Sequence, residues 1–96
     1  MVYVQASIKL HPGKLQDFIS LISKLSPVTT RHGWKLLGSY ASVVGRLNTV
    51  VDMWELTDIK NIEALFADPE MAKMGPVTAE IIEDETLTVL TKLPIG

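Results

Sequence analysis

An α+β fold of four antiparallel strands with helices on one face is what the 96 residues predict, and three observations predict it. Apolar residues alternate at period two in four stretches, they recur at spacings of three and four between those stretches, and glycine and proline fall at the joins. The order is strand, helix, strand, strand, helix, strand, with no internal repeat, low-complexity segment or linker, so residues 1–96 are expected to form one domain.

The first strand is expected over Val2 to Leu10, where Val2, Val4, Ala6, Ile8 and Leu10 share one face and Tyr3, Gln5, Ser7 and Lys9 the other. Pro12 and Gly13 end the alternation. Leu15, Phe18, Ile19, Ile22 and Leu25 then give a helical stripe, which predicts a first helix over Gly13 to Leu25. Pro27 lacks an amide donor and crowds the preceding turn, so a kink or a short second segment through Val28 to Arg31 is expected, closed by Gly33 as a C-terminal cap. Strands over Trp34 to Val43 and Leu47 to Leu56 form a hairpin around Gly45, where glycine can take the positive φ of a tight turn. Thr57 or Asp58 can cap the next helix, whose stripe is Ile59, Ile62, Leu65 and Phe66 and which stops near Ala67. Asp68 and Pro69 read as a fresh cap and first-turn proline for a helical piece through Met71 and Met74, broken by Gly75 and Pro76. The last strand is placed roughly over Glu85 to Leu93. This succession is the ferredoxin-like split βαβ pattern.

Composition narrows the function classes. Nine Lys plus Arg stand against eleven Asp plus Glu without a basic run, which argues against DNA or RNA as a partner. The chain has no cysteine, so disulfides, thiolate catalysis and zinc-thiolate or iron–sulfur sites drop out together. No apolar stretch approaches the roughly 20 residues of a membrane helix, and the N-terminal segment alternates instead of presenting a signal-like apolar run. A soluble, cytoplasmic protein without membrane contact is therefore expected. The six glycines are dispersed and form neither GxGxxG nor a Walker pattern, and the two histidines lack acidic neighbours at ligand spacing, so neither a nucleotide cofactor nor a metal is expected.

A sheet covered by helices on one side leaves its other face bare. A face carrying Tyr3, Tyr40, Val50 and Trp54 would be a large apolar patch for a small monomer, and a second copy across a two-fold axis would cover it. The expected assembly is a homodimer, a dimeric α+β barrel, with a small apolar cleft between each sheet and its helices or between the two sheets. A small organic molecule is its expected occupant.

Candidate chemistry concentrates in the hairpin. Val51 and Met53 suit the helix-covered core, and that parity sends Asn48, Asp52 and Trp54 to the opposite face; a one-residue slip would reverse every assignment. Asp52 beside an indole could act as a general base if desolvated, or could simply accept hydrogen bonds from a neighbouring Tyr, Lys or Arg. His32 could shuttle protons near neutrality or cap the first helix. Tyr40 could donate to a carbonyl or enolate. Asp52, His32 and Tyr40 are the catalytic candidates; Tyr3, Gln5, Asn48 and Trp54 are the ligand-contact candidates. Lys35, Arg31 and Arg46 read as a solvated rim, His11 as a loop residue, and Met71 and Met74 as core or interface filling.

Three segments, KLHPGKLQDF, RHGWKLLGSY and GRLNTVVDMWEL, together with Asp68-Pro69 after the second helix, resemble the NIPSNAP family over nearly the whole chain. The resemblance implies a dimeric α+β barrel related in architecture to cofactor-free monooxygenases and small cyclases or isomerases. It transfers no catalytic motif. Two positions depart from the family pattern: Asp52, where the family often has His, and Arg46, where Pro or a similar residue is common. The function expected is binding of a small organic molecule, with cofactor-independent proton transfer such as isomerisation, cyclisation or lactone chemistry as its catalytic form. The alternatives are a non-catalytic dimerisation module and a cofactor-free monooxygenase.

Overall fold

A computed structural model describes residues 1–95. Its elements are β1 (Val2–Leu10), α1 (Leu15–Arg31), β2 (Trp34–Ala41), β3 (Thr49–Leu56), α2 (Lys60–Phe66), α3 (Pro69–Lys73), α4 (Gly75–Ile81) and β4 (Ile82–Leu90). The strands form one antiparallel sheet in the order β2-β3-β1-β4, with the helices on one face. This is the ferredoxin-like split βαβ fold that the sequence predicts. The two most buried strands, β1 and β3, take the centre and pair from Val2 opposite Leu56 to Lys9 opposite Thr49.

Two clusters of buried side chains lie between sheet and helices. One gathers Ile8, Leu10, Val50, Phe18, Leu21 and Ile81; the other gathers Val4, Leu56, Trp34, Trp54, Val28 and Leu65. The even-numbered residues of β1 face the helices, as expected. On β3 the expected parity is reversed: Val50, Asp52, Trp54 and Leu56 are buried toward the helices, while Val51 and Met53 lie half-buried on the other face. Pairing explains it. Ala6 sits opposite Asp52 and Val4 opposite Trp54, so once β1 turns its even side inward β3 must do the same. The small Ala6 leaves room for the larger side chains beside it.

Other boundaries also moved. Helix α1 runs unbroken through Pro27 to Arg31, because Val28 and Thr29 continue the buried stripe of Phe18, Leu21 and Leu25. Burying one aliphatic side chain is worth about 1.5–3 kcal/mol, so Leu25 and Val28 together outweigh the roughly 3 kcal/mol of a mid-helix proline. Helix α3 ends at Lys73 with Met74 as its cap, so the expected break occurs, but Gly75 and Pro76 also open a further helix, α4, with Pro76 in the first turn where its missing amide costs nothing. Strand β4 starts at Ile82, opposite Leu10, and ends at Leu90, opposite Tyr3, because its length is set by β1. The β2–β3 connection is wider than expected, spanning residues 42–48 with Gly45 at φ 112° and Asn48 at φ 56°. Asp68 caps α3 as expected, accepting the Glu70 amide at 2.8 Å, whereas the N-cap position of α2 is Ile59 and Asp58, one residue earlier, accepts the Lys60 amide at 2.8 Å.

Candidate functional site: an apolar cavity with a buried carboxyl

The helices do not fill the space above the sheet. A cavity of about 460 Å³ remains between the sheet and the helices. Its floor is Ala6 and Ile8 of β1 with Asp52 and Trp54 of β3; α1 supplies Phe18 and Leu25, and α3 and α4 supply Met71 and Thr78. Trp34 closes one end. Its indole Nε1 donates to the Asn61 carbonyl at 2.9 Å, and its ring meets Trp54 edge-on at 5.6 Å and Phe66 at 6.4 Å between centroids. At the other end the helix-facing side of β4, with Glu85 and Leu87, is left exposed and forms the rim.

Asp52 is the polar centre of this cavity, with only 1% of its surface exposed. The Ser39 hydroxyl donates to its Oδ1 at 2.5 Å, and among the described residues Oδ2 has no hydrogen-bond donor. Burial pushes the Asp52 carboxyl above the usual carboxylate range, and the Ser39 hydroxyl partly offsets that by favouring the charged form. Glu85 is also pushed up, first by desolvation and then by the charge of Asp52. The two carboxyls flank β1 on the same sheet face, about 12 Å apart at the backbone, two strand spacings across and two residues along. Such a site can hold or exchange a proton and can accept a hydrogen bond from a bound molecule.

The seven candidates fall into separate places. Asp52 and Trp54 meet in the cavity, on the helix side and not on the bare face where the sequence reading put them. Tyr40 lies opposite Val51 on the bare face, 62% exposed, so the sheet separates it from Asp52. Tyr3 and Gln5 are half-buried on that same bare face. Asn48 sits exposed in the β2–β3 connection, where its carbonyl accepts the Leu10 amide at 2.7 Å. His32 forms the C-cap of α1, and its Nε2 lies 2.7 Å from Asp68 Oδ2, which also accepts Arg31 Nη2 at 2.6 Å. That cluster holds the Asp68 carboxyl well below the usual range and joins α1 to α3. The expected trio of Asp52, His32 and Tyr40 therefore does not assemble around one molecule.

Ser39 and Glu85 went unnoticed in the sequence. Ser39 is hidden by a register shift between Leu36 and Gly38, which turns it onto the same face as Trp34 and Leu36 despite the odd spacing. Glu85 could have been found: it shares parity with Leu87 and Val89, an acid on the apolar side of a strand.

The sequence profile of the NIPSNAP family matches residues 3–95. The chain belongs to the NIPSNAP family. Solved structures agree with that placement. An uncharacterized NIPSNAP domain protein from Burkholderia xenovorans superposes with a TM-score of 0.83 at 22% identity, covering 100% of this chain and 98% of that one. A protein from Agrobacterium tumefaciens gives 0.83 at 19% identity, covering 100% and 97%. A conserved protein from Methanosarcina mazei gives 0.76 at 18%, covering 96% and 92%. At these identities the likeness is one of fold. No curated protein matches the chain. No helix of this NIPSNAP domain, among the described residues, is long and apolar enough to cross a membrane.

Proposed function

We propose that this NIPSNAP domain binds a small, mostly apolar organic molecule in the cavity between sheet and helices. The observation that carries this reading is Asp52, a carboxyl buried on the floor of an otherwise apolar cavity with one oxygen free of protein donors. Fold alone would not need it: a structural core could place an alanine or valine there without the cost of burying a polar group. The catalytic form of the reading gives Asp52 the role of general base, tuned by burial and held in place by Ser39. His32 and Tyr40 take no part, since they lie outside the cavity lining.

The bare sheet face belongs to the same proposal. Tyr3, Tyr40, Val51 and Met53 lie together there, and a second copy is the partner that would remove them from water. A homodimer would leave one helix-side cavity in each subunit.

Uptake of the neutral probe N-phenyl-1-naphthylamine tests the cavity. It should bind saturably, one per chain, with energy transfer from Trp34 and Trp54, and Ala6→Phe should weaken binding at least about tenfold because Ala6 is the small residue of the floor. No saturable uptake, or equal uptake by the filled variant, would refute the proposal.

A further inference from the structure

We infer that the ligand of this cavity carries a protonated amine at one end of an apolar body, with the ammonium paired to Asp52 and drawn in by the second negative charge of Glu85 at the rim; this rests on the cavity being the binding site. Among the described residues no Lys, Arg or His lines the cavity, whereas two carboxyls do. An anionic ligand such as a carboxylate or phosphate would enter with nothing to neutralise it and two groups to repel it. A cation meets the reverse situation. Asp52 Oδ2 offers a deep acceptor, and Glu85 stands at the rim, two strands away across the narrow Ala6 and the Ile8 row.

The aromatic lining supports the same ligand. Phe18, Trp34, Trp54 and Phe66 surround the space, and ring faces attract ammonium groups as well as apolar bodies. Both carboxyls are pushed upward by desolvation, and Glu85 also by Asp52, so each is disposed to gain from a neighbouring positive charge. A neutral ligand would leave that repulsion in place.

Three probes with the same phenylbutyl body separate the head groups: 4-phenylbutylamine, 4-phenylbutan-1-ol and 4-phenylbutyrate. Since both tryptophans of the chain line the cavity, their fluorescence reports occupancy. At neutral pH the amine should bind about tenfold to a hundredfold tighter than the alcohol, the scale of a charge-assisted hydrogen bond, and the butyrate should bind weakest. Asp52→Asn, which keeps an acceptor for Ser39, should bring the amine close to the alcohol without moving the alcohol. Glu85→Gln at the exposed rim should lower the amine preference with the floor untouched, so the inference does not hang on one buried substitution. Equal binding of all three probes, a preference for the acid, or an amine preference unchanged in both variants would overturn the ammonium assignment while the cavity reading stands. If the neutral naphthylamine probe fails as well, the cavity reading falls with it.

Discussion

Trp34 and Trp54, diagonal neighbours on β2 and β3, meet at 76° with 5.6 Å between ring centroids, and Trp34 is anchored from behind by the Asn61 carbonyl of α2. Strand, strand and helix are thus tied at one end of the cavity. Trp34→Phe removes the indole donor and leaves that carbonyl without it. A loss of about 1–3 kcal/mol is expected, which for a domain of this size is a fall in Tm of roughly 4–8 °C per kcal/mol. Thermal melts and near-ultraviolet circular dichroism, where the paired indoles absorb, would check it.

Asp52 sets a pH dependence of known sign. Its folded carboxyl takes up a proton more readily than the unfolded one, so it favours folding below about pH 4 and that contribution is lost as pH rises through its elevated value. Asp52→Asn should therefore melt a few degrees higher than wild type at pH 7, and the two curves should converge near pH 4. Lower stability of the variant at pH 7 would contradict a desolvated charge.

Asp68 works in the opposite direction. Arg31, His32 and the Glu70 amide all stabilise its charged form, so its contribution is present above about pH 4 and disappears as pH falls through its depressed value. Asp68→Ala should lower Tm at pH 7 and matter much less near pH 2. Asp68→Asn, which can still cap α3, should fall between the two.

Gly33 is fixed by two independent constraints. Its φ is 76°, and an added Cβ would lie 2.7 Å from Asn61 Nδ2, which donates to Thr57 Oγ1. Gly33→Ala should cost at least roughly 1–2 kcal/mol from the left-handed backbone alone, and displacement of Asn61 adds to it. Chemical denaturation would show the midpoint shifted without a change in slope.

The bare face makes assembly measurable. Wild type should sediment as a dimer at micromolar concentration, and Val51→Asp, which places a charge among Tyr3, Tyr40 and Met53, should sediment as a monomer with the sheet intact. Since Val51 does not line the cavity, the naphthylamine probe should still bind.

The order of elements was legible because periodicity is a local property: β1, with its strict alternation, and the stripe from Phe18 to Leu25 announced themselves. The face of β3 was not. Residues 50–56 alternate two apolar sets, Val50, Trp54 and Leu56 against Val51 and Met53, and only pairing with β1 decides between them. Misplacing that one strand put Asp52 beside Tyr40 when a sheet stands between them. His32 read as a helix cap was nearer to what the fold uses, but its partner Asp68 is 36 residues away and no local spacing could reveal it.

The extra residue in β2 between Leu36 and Gly38 is a hinge in register. Were Leu37 to take its own place in the ladder instead of bulging, the remainder of that strand would turn over, carrying the Ser39 hydroxyl to the bare face, leaving Gly38 opposite Asp52 and bringing the Tyr40 phenol inward opposite Val50. The bulge thus decides whether the carboxyl is met by a small alcohol that leaves the hollow open or loses that donor while a ring enters the hollow.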